Sequence, residues 1–302
     1  SAFMIGCDVR RSHPACKVDA REMIVTEDNF THAAVLFDHT NPSIRRHFAR
    51  LRAQHGRDTL PIVTGFIAAT EDGRTTTIGR NGSDYTASIV GAALGSSVIE
   101  IWTDVDGVLS ADPRAVPSAF VVQQLSYEEA MELSYFGATV LHSATIAPAV
   151  QRNIPILIKN TLNPSAPGTL ISARADSWEG VAKGITSIDH VTLFTLRGLG
   201  MVGVPGTAER LFRALASRRV NVILISQASS EHTICFAVID KDAHPARKAI
   251  LQEFHLELQN NLTSVDEKPS QTTVAIVGDG MHGAPGDAGK VFQSLGRNSI
   301  KV

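Results

Sequence analysis

The sequence predicts an α/β protein, a three-layer sandwich with a mostly parallel sheet, followed by smaller α+β units of the split βαβ type. Apolar, β-rich stretches alternate with helix-compatible ones through residues 1–174, and the polar residues 172–179 have the composition of a linker. Beyond this linker the chain repeats itself after 80 residues. The length of 302 residues fits two domains and part of a third.

The strands and helices of residues 1–174 can be predicted in chain order. Residues 60–68 are apolar and β-rich, which predicts a single strand buried on both faces. Residues 84–94 suit a helix that Gly95 ends, and residues 98–103 suit the next strand. Because strands separated by helices pair in parallel, we expect ligands beyond the carboxyl ends of these strands.

A capping box marks the next helix. Ser126 is followed three residues later by Glu129, a pair that predicts a helix from residue 126 through residue 136. Residues 154–158 are again β-rich and predict one more strand of the same sheet.

The repeat identifies a duplicated supersecondary unit in the second half. An 80-residue shift places Gly198, Gly200, Met201, Gly203, Pro205 and Gly206 on Gly278, Gly280, Met281, Gly283, Pro285 and Gly286. The first copy predicts a strand, a helix, two strands and a helix, at residues 191–196, 207–218, 220–226, 233–239 and 245–258.

Both copies also match the dinucleotide pattern Gly-x-Gly-x-x-Gly. Residues 220–226 lack the acidic residue that holds a ribose, so a tight strand-to-helix turn is favoured.

Composition excludes several classes of function. A net charge of −2 and a pI of about 6.6 give no attraction to nucleic acid or anionic lipid. No apolar run is long enough to span a bilayer. Cys7, Cys16 and Cys235 are too widely spaced for a metal site or a disulfide framework, so we expect a reducing compartment, the cytoplasm or a plastid.

Residues 79–84 are the first candidate site. The glycines of Gly-Arg-Asn-Gly-Ser-Asp allow a tight loop that leads into a helix. Ser83 or Asp84 could simply be the N-cap of that helix. Alternatively, Arg80 offers a fork for a carboxylate or phosphate while Ser83 and Asp84 orient reactants. Spacing alone does not separate these two interpretations.

A second candidate site follows the strand at residues 98–103. Thr103 and Asp104 stand at its carboxyl end, and a loop with two further aspartates leads to Arg114. Asp106 and Asp112 could help hold a divalent cation, but Asp-Gly and Asp-Pro are also ordinary turn formers. Phosphoryl transfer depends on positioning and charge neutralisation, so these residue types would suffice for it. A P-loop is absent from the sequence.

Four segments together resemble the aspartokinase family in order and spacing: GRNGSDYTA, IWTDVDGVLSADPR, SYEEAMELSYFGATVLH and APGTLI. The tail resembles the regulatory ACT domains of the same family, most closely those of bifunctional aspartokinase–homoserine dehydrogenases. The resemblance implies an amino-acid-kinase sandwich over residues 1–174, one ACT unit over 175–268 and the start of another over 269–302.

The resemblance also implies a function and a site. ATP would phosphorylate the side chain of L-aspartate, in the pathway to threonine, lysine and methionine, with Mg²⁺ bridging the phosphates. Phe66, Arg80, Ser83 and Asp84 would contact aspartate or the reacting centre, with Arg80, Ser83 and Asp84 catalytic. Thr103, Asp104 and Arg114 would bind ATP. The effector, expected to be threonine, would contact Met201, Val204, Gly206 and Gln227.

Two expectations concern assembly and activity. ACT units of the family pair across subunits, so a homo-oligomer is expected. The family's Lys-Phe-Gly-Gly-Thr-Ser segment does not occur in the sequence, so we expect a chain truncated at both ends and inactive by itself. The alternatives are an inert amino-acid-sensing fragment and another amino-acid kinase of the same fold.

Overall fold

The computed structural model describes residues 9, 13–135, 142–175, 182–198, 206–227, 232–281 and 286–301. The chain divides into two compact units, Ser1–Thr186 with Ala275–Val302, and Ser187–Val274. Within the described residues, no helix is both long and apolar enough to cross a membrane.

Among the described residues before residue 175 there are nine strands and four α-helices of nine or more residues. The strands are β1 (Ala15–Val18), β2 (Val25–Thr26), β3 (Leu60–Val63), β4 (Ile67–Thr70), β5 (Thr75–Thr77), β6 (Ile99–Thr103), β7 (Gln124–Ser126), β8 (Ile156–Asn160) and β9 (Thr169–Ser172). The helices are α1 (Phe37–His55), α2 (Gly82–Leu94), α3 (Tyr127–Tyr135) and α4 (Ser143–Gln151). The strands form sheets of order β1-β3, β2-β4-β5 and β6-β8-β9-β7. Of the described strand pairs in these three sheets, β4–β5 and β8–β9 are antiparallel and the other four are parallel, so the pairing is mostly parallel, as predicted.

Two apolar clusters hold this unit together. Ile44 of α1 and Ile89 of α2 are fully buried with the side chains of β1 and β4. Leu133 and Ile146 are buried with the apolar residues of β6, β8 and β9. Burying such side chains contributes roughly 1.5–3 kcal/mol each, so the strands that carry the candidate site are firmly fixed.

The single buried strand predicted at residues 60–68 is wrong. Gly65 and Phe66 interrupt it, and β3 and β4 belong to different sheets. β3 is also partly exposed along its length instead of being buried on both faces. Phe66 has a positive φ of 74°, a backbone conformation that cannot continue a strand.

The capping box at the start of α3 is confirmed. The Ser126 amide donates to Glu129 Oε2 at 2.9 Å, and the Glu129 amide donates to Ser126 Oγ at 3.1 Å. Glu129 is almost fully buried and makes two further bonds. Its Oε2 accepts from Lys183 Nζ at 2.8 Å, and its Oε1 accepts from the amide of Asp279 at 2.9 Å.

The later part of the chain contains four strands and four helices among its described residues. They are β10 (Gly184–Arg197), α5 (Thr207–Ser217), β11 (Leu224–Gln227), β12 (Thr233–Ile239), α6 (Asp240–Glu253), α7 (His255–Gln259), β13 (Ser264–Val277) and α8 (Asp287–Arg297). Their sheet has the order β11-β12-β10-β13. The element order matches the prediction, but β11 begins later than residue 220 and the last predicted helix is split at Phe254.

The duplication is visible in the backbone itself. β10 and β13 each have 14 residues, α5 and α8 each have 11, and the members of each pair start 80 residues apart. Left-handed residues recur at the same offset, with φ of 89° at Gly206 and 92° at Gly286, and 58° at His190 and 56° at Ser270. The repeat seen in the sequence is therefore a repeat of structure.

Candidate active site

The first candidate residues lie in the first turn of α2. Asn81 is the N-cap, in a left-handed conformation with φ of 53°, and its side chain makes no capping hydrogen bond. The interpretation of Ser83 or Asp84 as the cap is therefore wrong, since both are already helical. Unpaired amides at a helix start carry partial positive charge, so this turn favours an anionic group.

Phe66 lies against this turn because the segment between β3 and β4 closely approaches the start of α2. Its amide donates to Thr86 Oγ1 at 3.1 Å, and its carbonyl accepts from the Ile78 amide at 3.1 Å. A Cβ on Gly82 would lie 2.6 Å from the Phe66 ring, so only glycine allows this contact. Phe66 as a whole residue remains 45% exposed and available for contact.

Asp84 is partly buried beside Ser83. Desolvation raises the pKa of the Asp84 carboxyl above its ordinary value, and a hydrogen bond from Ser83 Oγ, at 3.4 Å, partly offsets this. Strained backbone and a perturbed carboxyl often mark functional positions.

A cleft of about 410 Å³ lies beside the same turn, lined by Gly65, Ser83 and Thr86 and by Ile99 and Glu100 at the start of β6. Arg80, just before the helix, is exposed to solvent. The structure thus brings Phe66, Ser83 and Asp84 together at the first turn of α2, shortly after the exposed residue Arg80. The residues at the other end of β6 form a second group.

The second group lies at the carboxyl edge of two neighbouring parallel strands. Thr103 of β6 is paired with Asn160 of β8, and the Thr161 amide donates to the Thr103 carbonyl at 2.8 Å. Thr103 Oγ1 donates to Asp104 Oδ1 at 3.1 Å, and Asp104 is exposed. Thr103 and Asp104 therefore occupy the strand-end position that the sequence predicted.

The sequence did not predict the hydrogen bonds that join the loops at this edge of the sheet. Asp106 Oδ1 accepts from Asn160 Nδ2 at 2.7 Å and from Asn163 Nδ2 at 3.1 Å, which joins the loop after β6 to the loop after β8. Asp106 was identified only as a turn former or cation ligand. The available signal was Asn160 itself, a polar residue at the end of a largely apolar strand, at the edge where ligands were expected.

Arg114 does not reach the strand edge. Its guanidinium pairs with Asp112 at 2.7 Å in an exposed turn, and that pairing raises the pKa of Arg114 above its ordinary value. Its role in binding nucleotide would require it to leave Asp112.

The donor set fits a nucleotide better than a resident metal. A hydroxyl, an exposed carboxylate and strand-end amides are the groups that position a polar ligand at such an edge. Among the described residues, no group of three or more His, Cys, Asp or Glu side chains could hold a metal ion. Mg²⁺ is usually bound through one or two carboxylates and substrate phosphates, so a bound nucleotide would have to supply most of its ligands.

The effector residues are only partly described. Gly206 is the left-handed N-cap of α5, and Gln227 is the exposed last residue of β11. Met201 and Val204 lie outside the described residues.

The candidate site combines a helix start that favours anions with a polar strand edge, and sequence comparison identifies the class of protein. The profile of the amino acid kinase family matches residues 9–160, and an ACT domain profile matches residues 194–254. The chain belongs to the amino acid kinase family. Its fold is that of aspartokinases.

The similar proteins include aspartokinases and bifunctional aspartokinase/homoserine dehydrogenases. A bifunctional aspartokinase/homoserine dehydrogenase of Haemophilus influenzae is 45% identical over 83% of this chain and 31% of its own length. A chloroplastic one of Arabidopsis thaliana is 40% identical over 100% of this chain and 34% of its own. Escherichia coli aspartokinase III, solved with aspartate and ADP, superposes with a TM-score of 0.81 at 29% identity, over 97% of this chain and 64% of that one. The chain therefore spans about a third of the length of these bifunctional relatives.

Proposed function

We propose that the chain carries the aspartate kinase activity of its family, the ATP-dependent phosphorylation of the L-aspartate side chain. The observation that supports this best is the first turn of α2. There Phe66, Ser83 and Asp84 converge beside Arg80, at a helix start that favours a carboxylate substrate. E. coli aspartokinase III has been solved with aspartate and ADP, and its fold is shared along 97% of this chain.

Each residue has a role in this proposal. Arg80 pairs with a carboxylate of aspartate, Phe66 covers the substrate, and Ser83 and Asp84 orient the reacting group. Thr103 and Asp104 hold the nucleotide at the strand edge, with Arg114 after it is released from Asp112. Mg²⁺, bound with ATP, would supply charge neutralisation on the phosphates.

The proposal is tested by calorimetric titration of aspartate and of ATP into the chain, together with an assay of ADP release. Binding is measured alongside turnover because the family's Lys-Phe-Gly-Gly-Thr-Ser motif is not in this sequence. We expect Arg80→Gln to weaken aspartate binding by about tenfold or more, because a charge-assisted fork is lost.

Arg57→Gln is the matched control, since Arg57 is also an exposed arginine of the same unit but lies in the loop after α1. Equal affinity for aspartate in the wild type and in Arg80→Gln would contradict the assignment. Absence of any aspartate binding would contradict the function.

We also propose that the duplicated units bind an amino-acid effector, with threonine the first candidate, and that Met201, Val204, Gly206 and Gln227 contact it. The left-handed turn at Gly206 and the exposed end of β11 support a ligand position beside α5. We further propose domain limits at residues 174 and 268, assembly of the chain into homo-oligomers, and a cytoplasmic or plastid location. The free thiols of Cys16 and Cys235 support a reducing compartment.

A further inference from the structure

A second cleft of about 700 Å³ lies where α1, α2 and α4 come together, and Ser96 lines both it and the 410 Å³ cleft beside the first turn of α2. On α1 its lining includes Arg45, Phe48 and Arg52, which follow one another at three- and four-residue spacing and so share one face of the helix. The end of α2 and Arg152, which follows α4, complete it. α2 has 13 residues, so the lining residues at its end are about 20 Å along the helix from the candidate residues in its first turn.

Arg45 caps one carbonyl at the end of α2, and backbone amides cap other carbonyls of the two helix ends. At the end of α2, the Ser96 amide donates to the Gly91 carbonyl at 3.0 Å, and Gly95 is left-handed. At the end of α4, the Ile154 amide donates to the Ala149 carbonyl at 3.0 Å, and Asn153 is left-handed. Backbone amides therefore already satisfy these carbonyls, as in Schellman motifs.

Only one guanidinium nitrogen in the cleft has a described helix-end partner. Arg45 Nε donates to the Ala93 carbonyl at 3.0 Å, which leaves the two terminal nitrogens of Arg45 for other contacts. Arg52 and Arg152 are exposed at the cleft wall. Among the described hydrogen bonds and ion pairs, the other guanidinium nitrogens of these three arginines have no partner.

The charge in the cleft is strongly one-sided. Three arginines line it, and none of its described lining residues is acidic. Two helix ends oppose them with about half a negative charge each, so the net charge is about +2. Buried Phe48 and Ile154 give the cleft an apolar floor beside the guanidinium groups.

We propose that this cleft binds a small phosphorylated molecule, with its phosphate between Arg52 and Arg152. A phosphate monoester carries nearly two negative charges at neutral pH, which matches the excess positive charge, whereas a single carboxylate leaves half of it unbalanced. The guanidinium fork complements phosphate oxygens, and the volume is typical of small-molecule sites. The apolar floor fits an organic group rather than phosphate alone.

The test is titration of the whole chain with inorganic phosphate and with phenyl phosphate, followed by calorimetry and by hydrogen exchange. We expect saturable binding, tighter for phenyl phosphate, and slower exchange at residues 92–97 and 152–155. The double variant Arg52→Gln/Arg152→Gln should weaken phenyl phosphate binding by about a hundredfold, roughly tenfold for each lost charge-assisted contact. Arg45 is kept because it also binds the Ala93 carbonyl.

Arg50→Gln is the control, since Arg50 is exposed on the same helix and is not among the cleft residues. It should bind as the wild type does. Arg80→Gln distinguishes this cleft from the active site and should also bind normally. The proposal is overturned if the wild type binds neither ligand, if the double variant binds phenyl phosphate undiminished, or if Arg80→Gln alone abolishes binding.

Discussion

Asp84, a residue of the proposed active site, lies in an environment that disfavours its charged form. Its carboxyl is partly buried in the first turn of α2, and that burial raises its pKa. A carboxyl with a raised pKa in the folded state binds its proton more tightly there than in the unfolded chain. The contribution of Asp84 to the free energy of folding is then most favourable at low pH. It is lost as the pH rises from about 3.8, the ordinary pKa, through the raised pKa of the folded state. At neutral pH the desolvation of the Asp84 carboxylate therefore opposes folding, and it outweighs the favourable effect of the helix start on the charge.

Asp84→Asn should consequently stabilise the chain at pH 7, because the neutral amide has no charge to desolvate. Its melting temperature should exceed that of the wild type at pH 7, and the difference should shrink as the pH falls toward 3.8. Scanning calorimetry from pH 3.5 to pH 7 measures this. A melting temperature for Asp84→Asn below that of the wild type at pH 7 would show that the carboxylate is stabilised, contrary to its burial.

Ser83→Ala provides the opposite change at the same site. Removing the Ser83 hydroxyl deletes the hydrogen bond that lowers the Asp84 pKa, so the charged form becomes less favourable. We expect this variant to be slightly less stable than the wild type at pH 7 and equal to it near pH 3.5.

At the scale of elements, Glu129 connects parts of the chain that are far apart in sequence. It is 2% exposed, and its partner Lys183 is 5% exposed. One carboxylate closes the start of α3, pairs with the residue before β10, and holds the turn that follows β13. A buried charge with all of these partners is tolerated, but the same charge without Lys183 would be unpaired.

Lys183→Met should therefore lower the free energy of unfolding by roughly 3–5 kcal/mol, because it leaves the Glu129 carboxylate buried without its cation. The double variant Glu129→Gln/Lys183→Met should recover much of this loss. Urea denaturation of both variants measures the difference. A double variant at least as unstable as Lys183→Met would show that the ion pair is not the source of the cost.

Elements differed in how well the sequence predicted them, and the reason is the range of the interactions involved. The capping box joins residues three positions apart, so its pattern is complete within one stretch of sequence. The contacts Asn160–Asp106 and Lys183–Glu129 each span 54 residues, and no local pattern contains both partners. The break at Phe66 likewise depends on Gly82 and Thr86, which lie in the next helix.

At the scale of the whole molecule, the duplication was the most accurate sequence observation, because an 80-residue period is independent of any propensity. The positions of the candidate site residues could be predicted only where the topology of the sheet determines them. Thr103 and Asp104 could be placed from topology, since a parallel strand must end at the ligand edge. Arg114 could not be placed, because its pairing with Asp112 depends on the conformation of an exposed loop.

The proposed effector site can be tested in the intact chain. We expect threonine to bind, and Gln227→Ala to weaken its binding by about tenfold, as expected when a polar ligand group loses its partner. Gln259→Ala, at the exposed end of α7, is the control and should leave threonine binding unchanged. Calorimetry measures all three proteins. Equal binding by the wild type and Gln227→Ala would remove Gln227 from the site.

Phe66 has a consequence for how substrate would be recognised. Its left-handed conformation and the hydrogen bonds of its amide and carbonyl to Thr86 and Ile78 fix the backbone that carries the ring before any ligand arrives. The conformational entropy of that backbone is lost during folding, so little of it remains to be lost on association. A pre-organised anchor point of this kind favours capture of a small substrate at a fixed position over capture by an adapting loop.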